Sequence, residues 1–454
     1  MNLPPHSAMP PLRATNPVSI LSMPFPRRRP APLVPLALEL LLALVLALGD
    51  AASGHATTAP PACIDDSLVM SVPTPAPAAE PRAQAAAMPR LHRPMANRNL
   101  DIPTKPRRRP DGTKWRIGYV ASGEHYNYQR ITRVIIGGLQ ALGWLSVPPI
   151  PDGLTDREIW QFIAANTRSD VLEFVADGWW SPGSFDNSLR QEMRQSIADR
   201  LRERHDIDLF IAMGTLAGQD MVALGAPVPT IVASTSDAVA AHIVKSPKDS
   251  GLDNLFVHIY PERYARQLRL FYEMVPFKTL GLVYENTGEG RLFSAVDAIE
   301  RLASELGFTL IRCDARAQGQ DTDIATHNLV ACYREISTQV DAVYVTTHIG
   351  ITPLTIGRVA QVLREAKVPS FSMHGSEDVQ HGVLMSLAQS DPTALGLFFA
   401  EAIARIFNGA KPRQLKQVWR EPATIALNLE TARVIGFDPP VDVLLAADEV
   451  YEAR

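Results

Sequence analysis

From residue 115 onward the chain alternates short, continuously apolar runs with longer stretches that are apolar at every third or fourth position. The first pattern marks strands buried on both faces, the second amphipathic helices. Strands are predicted over 116–121, 171–176, 209–213 and 230–234. Helices are predicted over 128–142 and 188–204, and another opens at Leu216. Ile131, Val134, Ile135, Leu139 and Leu142 set the spacing of the first helix. The alternation then repeats. Helices over 262–275, 292–306, 324–336, 354–366 and 393–408 alternate with strands over 280–284, 310–313, 342–346 and 370–373, and an apolar run lies over 383–387.

Repeated strand–helix units build parallel sheets covered by helices on both faces. Two runs of such units predict an α/β fold of two doubly wound, Rossmann-like parallel-sheet lobes with a ligand cleft between them. Ligands in such sheets sit beyond the carboxyl ends of the strands. The loops there bring forward Ser122, His125 and Tyr126, then Gly214 and Thr215, then Thr235 and Asp237. In the second half they bring forward Tyr284, Thr287 and Glu289, then Thr347 and His348, then Gly375 and Glu377. Small residues, free helix-start amides and short polar groups suit a small polar solute.

The first 113 residues break the pattern. They hold 21 of the 37 prolines, which disfavours ordinary secondary structure. Arg27, Arg28 and Arg29 precede an apolar run over 33–48, and small residues around Ala51–Ala56 follow it. That order is the pattern of a secretory signal, with an uncleaved membrane anchor as the rival reading. The expected organisation is a signal region over 1–54 and a disordered Pro/Ala-rich linker over 55–113. An N-terminal α/β lobe over 114–238 and a C-terminal α/β lobe over 239–375 follow. A crossover segment with C-terminal elements over 376–454 completes the lobes. Residues 114–454 carry 32 basic and 41 acidic side chains, a formal charge of −9, which argues against nucleic acid as a partner. Cys63, Cys313 and Cys332 are too few for a disulfide scaffold. Cys313 ends a strand and Cys332 lies on the next helix, so the two either meet or are simply small buried side chains.

The chain from about residue 115 resembles the solute-binding proteins of bacterial ABC importers, in the branch with tryptophan- and other aromatic-amino-acid-binding members. Asp208–Thr215 is similar to that branch's D-x-I-x-x-x-G-T segment, and Pro229–Val239 to P-I-V-F-x-x-V-T-D-P-V. Val283–Glu289 is similar to L-Y-N-x-x-E-x-N-S, and Gly375–Gly382 to S-E-x-x-V-x-x-G-A. The tail from Ala426 to Gly436, closing on Ala447–Val450, resembles N-x-x-x-A-x-x-L-G followed by A-D-x-V. The resemblance implies a type I periplasmic-binding-protein fold that closes on a small solute without catalysis. It implies an ABC permease as partner, a monomer, and a periplasmic or otherwise extracytoplasmic location. The sequence departs from the family at Ala238, Gly290, Arg291 and His348, has an apparent insertion over 146–170, and carries the pair Trp179 and Trp180.

Each candidate has a functional and a plain reading. The Gly214–Thr215 helix start binds an anion or is only capped, and Asp237 pairs with a ligand amine or caps a helix. Trp179 and Trp180 form a lid or pack in the core. Arg291 and His348 suggest an anionic ligand. His374, Glu377, Asp378 and His381 lack a recognised metal spacing, so no metal is expected. The chain has no G-x-S-x-G elbow, no H-E-x-x-H and no phosphate-binding Gly-Lys loop, so neither an enzyme nor a cofactor is expected. The alternative function is a membrane-anchored extracytoplasmic sensor with the same binding fold.

Overall fold

The computed structural model describes residues 102–183, 185–317, 320–388, 391–420 and 424–452. The signal region and the linker up to residue 101 lie outside the described residues. Two sheets organise the chain.

The first sheet holds β1 (Trp115–Ala121), β2 (Leu172–Trp180), β3 (Leu209–Met213), β4 (Thr230–Ala233) and β5 (Leu255–Val257). Its order is β2-β1-β3-β4-β5 and every pairing is parallel. Its helices are α1 (Tyr126–Ala141), α2 (Asp156–Asn166), α3 (Arg190–Glu203) and α4 (Thr215–Leu224). The continuous apolar runs serve two cores at once. Ile117, Tyr119, Leu209, Ile211 and Met213 feed one face, while Val120, Phe210 and Ala212 feed the other.

The second sheet holds β6 (Thr279–Tyr284), β7 (Thr309–Asp314), β8 (Ala342–Val345), β9 (Ser370–Ser372), β10 (Met385–Leu387), β11 (Ile425–Asn428) and β12 (Ala447–Tyr451). Its order is β12-β11-β10-β9-β8-β6-β7, parallel except between β10 and β11. The later helices are α5 (Arg263–Met274), α6 (Gly288–Phe293), α7 (Val296–Leu306), α8 (Thr322–Ile336), α9 (Ile356–Glu365), α10 (Ser376–Gln380), α11 (Pro392–Phe407), α12 (Leu429–Ile435) and α13 (Val441–Ala446). Leu280, Leu282 and Tyr344 face one core here, and Val283, Val343 and Val345 the other.

The lobes exchange chain. Helix α11 follows β10 of the second sheet yet packs on α1, with Leu395, Phe399 and Ile403 in one core with Ile131, Ile135 and Leu139. The two helices approach at Gly138 and Gly396, where a Cβ on Gly138 would overlap the Gly396 carbonyl. The segments that cross between lobes are tied together. Ile259 N donates to Gln417 O (3.0 Å) and Trp419 N donates to Ile259 O (2.8 Å).

Five features differ from, or add to, the expectations. Residues 102–113, expected as part of a disordered spacer, lie along the first lobe. Trp144 Nε1 donates to Thr104 O (2.7 Å), Asn408 Nδ2 to Pro103 O (2.7 Å) and Trp115 Nε1 to Arg107 O (2.8 Å). Buried or half-buried side-chain donors need acceptors, and this strand of backbone supplies them. Residues 239–257, grouped by sequence with the C-terminal lobe, contribute β5 to the first sheet. The 146–170 stretch contains α2, whose Trp160 is fully buried, its ring tilted against Tyr119 (5.3 Å) and its Nε1 donating to Val175 O (2.9 Å). Trp179 and Trp180 are strand residues of β2, covered by Arg157 and Arg200 respectively. Finally, Cys313 and Cys332 form a disulfide that joins β7 to α8.

Candidate functional site

Loops after β1, β3, β4, β6, β8 and β9 converge on one cleft between the lobes, with a cavity of about 190 Å³. Of the residues singled out by sequence, His125, Tyr126, Thr215, Thr235, Glu289, Thr347, His348 and Glu377 line it. Ser122, Gly214, Asp237, Tyr284, Thr287 and Gly375 do not line it; they shape the loops that do.

The physical roles of that second group are local. Ser122 Oγ donates to Met213 O (3.0 Å) and accepts from Ala217 N (2.9 Å), which stitches the end of β1 to the start of α4. Gly214 has φ 93°, and a Cβ there would overlap the Tyr128 hydroxyl and Ser122 Oγ. Only glycine fits that position. Asp237 Oδ1 accepts from Val239 N (2.9 Å) and Ala240 N (3.0 Å), so its carboxylate is used inside its own loop. Thr287 caps α6 by accepting from Gly290 N (3.0 Å), and Tyr284 is buried in the second core. Arg291 also stays out of the cleft, because Asp297 (2.7 Å) and Glu300 (2.9 Å) hold its guanidinium.

Four histidines line the cleft, in different states of satisfaction. His348 is buried and complete, with Nε2 2.8 Å from Ala315 O and Nδ1 accepting from Gly350 N (3.0 Å). Its pKa is lowered, chiefly by burial. His374 lies with Nδ1 2.8 Å from the buried Asp378 carboxylate and Nε2 3.3 Å from Thr347 Oγ1. His125 Nδ1 accepts from Asn127 N (3.2 Å), which leaves the proton of the neutral ring on Nε2. That Nε2 is buried and has no partner among the described residues, and the same holds for His258 Nε2. Burial pushes both rings down to about 3, with His374 adding to the effect on His125 and Arg263 on His258. Both are therefore neutral at any physiological pH. Glu377 moves the other way: burial, then the Asp378 charge, raises its pKa.

Sequence reasoning from strand-end loops missed several lining residues. His258, Tyr260 and Trp419 come from the segments that cross between lobes, and Phe185 follows β2 at a distance. Asn127 and Arg130 lie on the first turns of α1, where Arg130 Nη2 donates to Asn127 Oδ1 (2.8 Å) and Asn127 Nδ2 donates to Ser234 Oγ (2.8 Å). Aromatic and histidine residues clustered at His258, Tyr260 and Tyr264 are the signal that points to the first crossing.

Two α/β lobes joined by tied crossing segments, around a cavity lined by rings, hydroxyls, histidines and a few charged side chains, define a two-lobed solute-binding protein of the type I periplasmic binding fold. The chain belongs to the ABC transporter substrate binding protein family, whose model matches residues 184–451. Its structure is similar to that of a conserved domain protein from Vibrio cholerae, at 19% identity and TM-score 0.56, over 74% of this chain and 100% of that one. It is likewise similar to the ABC domain from Streptococcus pneumoniae in complex with L-Trp, at 20% identity and TM-score 0.55, again over 74% and 100%. No curated protein matches the chain.

Proposed function

We propose that the protein is the extracytoplasmic receptor of an importer, capturing a small polar or aromatic solute in the cleft and delivering it to a membrane permease. The observation that carries this reading is the cavity walled by both lobes, with a buried His125 Nε2–H that no group among the described residues accepts. A buried donor without a partner is costly, and a ligand acceptor would remove the cost. Tyr126, Phe185, Phe293 and Trp419 would supply ring surface, and Thr215, Thr235 and Thr347 hydroxyls. A cavity near 190 Å³ has room for one ring with short substituents, since a hole of ~150 Å³ holds benzene. The Cys313–Cys332 disulfide and the signal-like run over 33–48 support a site of action outside the cytoplasm.

A thermal-shift screen of the exported protein against amino acids, nucleosides, small carboxylates and sugars tests this. One class is expected to raise Tm, because a ligand that binds only the folded state stabilises it. His125→Phe keeps the ring and removes the donor. It is expected to weaken the hit about tenfold, the worth of one buried hydrogen bond. A flat response across the panel would count against the receptor reading.

A further inference from the structure

Glu289 lines the cleft but does not point to a vacancy. Its carboxylate is held from the opposite lobe. Asn187 Nδ2 donates to Oε2 at 2.6 Å, and Arg190 Nη1 lies 3.3 Å from Oε1. Asn187 and Arg190 belong to the first lobe, Glu289 to α6 of the second. The same guanidinium is anchored behind: Arg190 Nε and Nη2 each lie 2.9 Å from the Asp220 carboxylate, which is buried on α4. Arg194 also reaches Asp220 at 2.5 Å. The first-lobe half of the contact is thus fixed whether or not Glu289 is present.

Both sides are shaped for the meeting. Asp186 Oδ1 accepts from Ser188 N (2.9 Å) and folds the turn that carries Asn187. Phe185 sits at φ 57°, a costly backbone for a bulky residue, and its ring meets Phe293 of the other lobe at 6.4 Å. Gly123 lets this turn approach the end of β1, since a Cβ there would come within 2.7 Å of the Phe185 ring. On the second lobe, Gly290 admits the Glu285 carbonyl, and the Thr287 cap fixes α6. Backbone strain of this kind persists where the surrounding structure holds it, and it clusters at switch regions.

We infer that Glu289, with Asn187 and Arg190, is a latch that sets the balance between open and closed lobes, and that it contributes through closure and not through contact with the solute. Glu289 is about a third exposed, so salt screens the contact and shifts the balance towards open. The latch requires only the two-lobed fold and holds whether or not the importer reading does.

The test is the distance between spin labels, one on each lobe, in the ligand-free full-length protein at low and high salt. Wild type is expected to lengthen with salt. Asn187→Asp places two carboxylates face to face and should open the lobes at low salt, with the wild-type lengthening on added salt lost. The double variant Asn187→Asp with Glu289→Gln exchanges donor and acceptor and should restore the short distance. Melting temperature is read in parallel, and Glu289→Ala serves if Asn187→Asp does not fold. Distances and salt response equal to wild type in the variants that fold would overturn the latch. Because no ligand is added, that failure is distinct from failure of the solute screen.

Discussion

His374 Nδ1 lies 2.8 Å from Asp378 Oδ2, and the same oxygen accepts from Ser372 Oγ at 2.5 Å. One buried carboxylate thereby fixes a ring at the cleft wall and ties the end of β9 to α10. With Nδ1 bound to Asp378, His374 presents Nε2 to Thr347 and to the cavity. Asp378→Asn leaves these donors poorly matched. The variant is expected to lose about 1–3 kcal/mol of stability, the range for leaving a buried polar group without its partner. Urea unfolding reads the loss, and disappearance of a low-field His374 ring proton by NMR reads the freed ring. Retention of both would show that the pair does not orient His374.

Asp156 begins α2 with both carboxylate oxygens buried and, among the described residues, without a well-formed hydrogen bond. Burial raises its pKa from 3.8 to about 7, opposed only in part by the His125 backbone N–H. The folded form then holds the proton more tightly than the unfolded chain. Stability from this group is full below pH 3.8 and is lost as pH rises through 7. Asp156→Asn should remove that slope, matching wild type in acid and exceeding it at pH 8 by up to about 4 kcal/mol. Parallel denaturation curves at the two pH values decide it; an equal difference at both would rule out Asp156 as the source.

The Cys313–Cys332 bridge closes a loop of 19 residues between a strand and its following helix. Cys313→Ser with Cys332→Ser should lower stability by about 3 kcal/mol on the chain-entropy model. Protein from an oxidising compartment should yield these two thiols to a thiol reagent only after reduction. Ready reaction of both in the folded, unreduced protein would contradict the bridge.

Gly138→Ala drives a methyl into the Gly396 carbonyl at the α1–α11 crossing. The helices must separate, and the expected loss is about 1–3 kcal/mol or more. A variant as stable as wild type would show that the crossing relaxes without cost.

Much of the fold was legible because its strands are buried on both faces and so read as unbroken apolar runs, as in 209–213. What escaped had weaker signals. β5 is three residues long and follows a loop, so no period can establish itself there. β2 runs on to Trp180 through Asp177 and Gly178, which look like a strand's end. The 102–113 segment has the composition of a linker, and only the tryptophan and asparagine donors of distant elements reveal where it lies. In the cleft, the strand-end rule located His125, Tyr126 and Thr347 at the wall. It could not separate residues that face the cavity from those, like Asp237 and Ser122, whose polar atoms are consumed by their own loops. His258 and Trp419 lie on crossing segments, where no strand–helix period points to them.

The seating of α11 on α1 has a consequence for how the chain is made. The first lobe is not complete when its sheet is complete. Its helix α1 stays uncovered along the Gly138 face until Phe407 has left the ribosome, after most of the second lobe. Folding in order of synthesis therefore cannot finish early, because a native contact of the first lobe joins residues far apart in the chain. A polypeptide built this way reaches its final shape only after most of its length has been made.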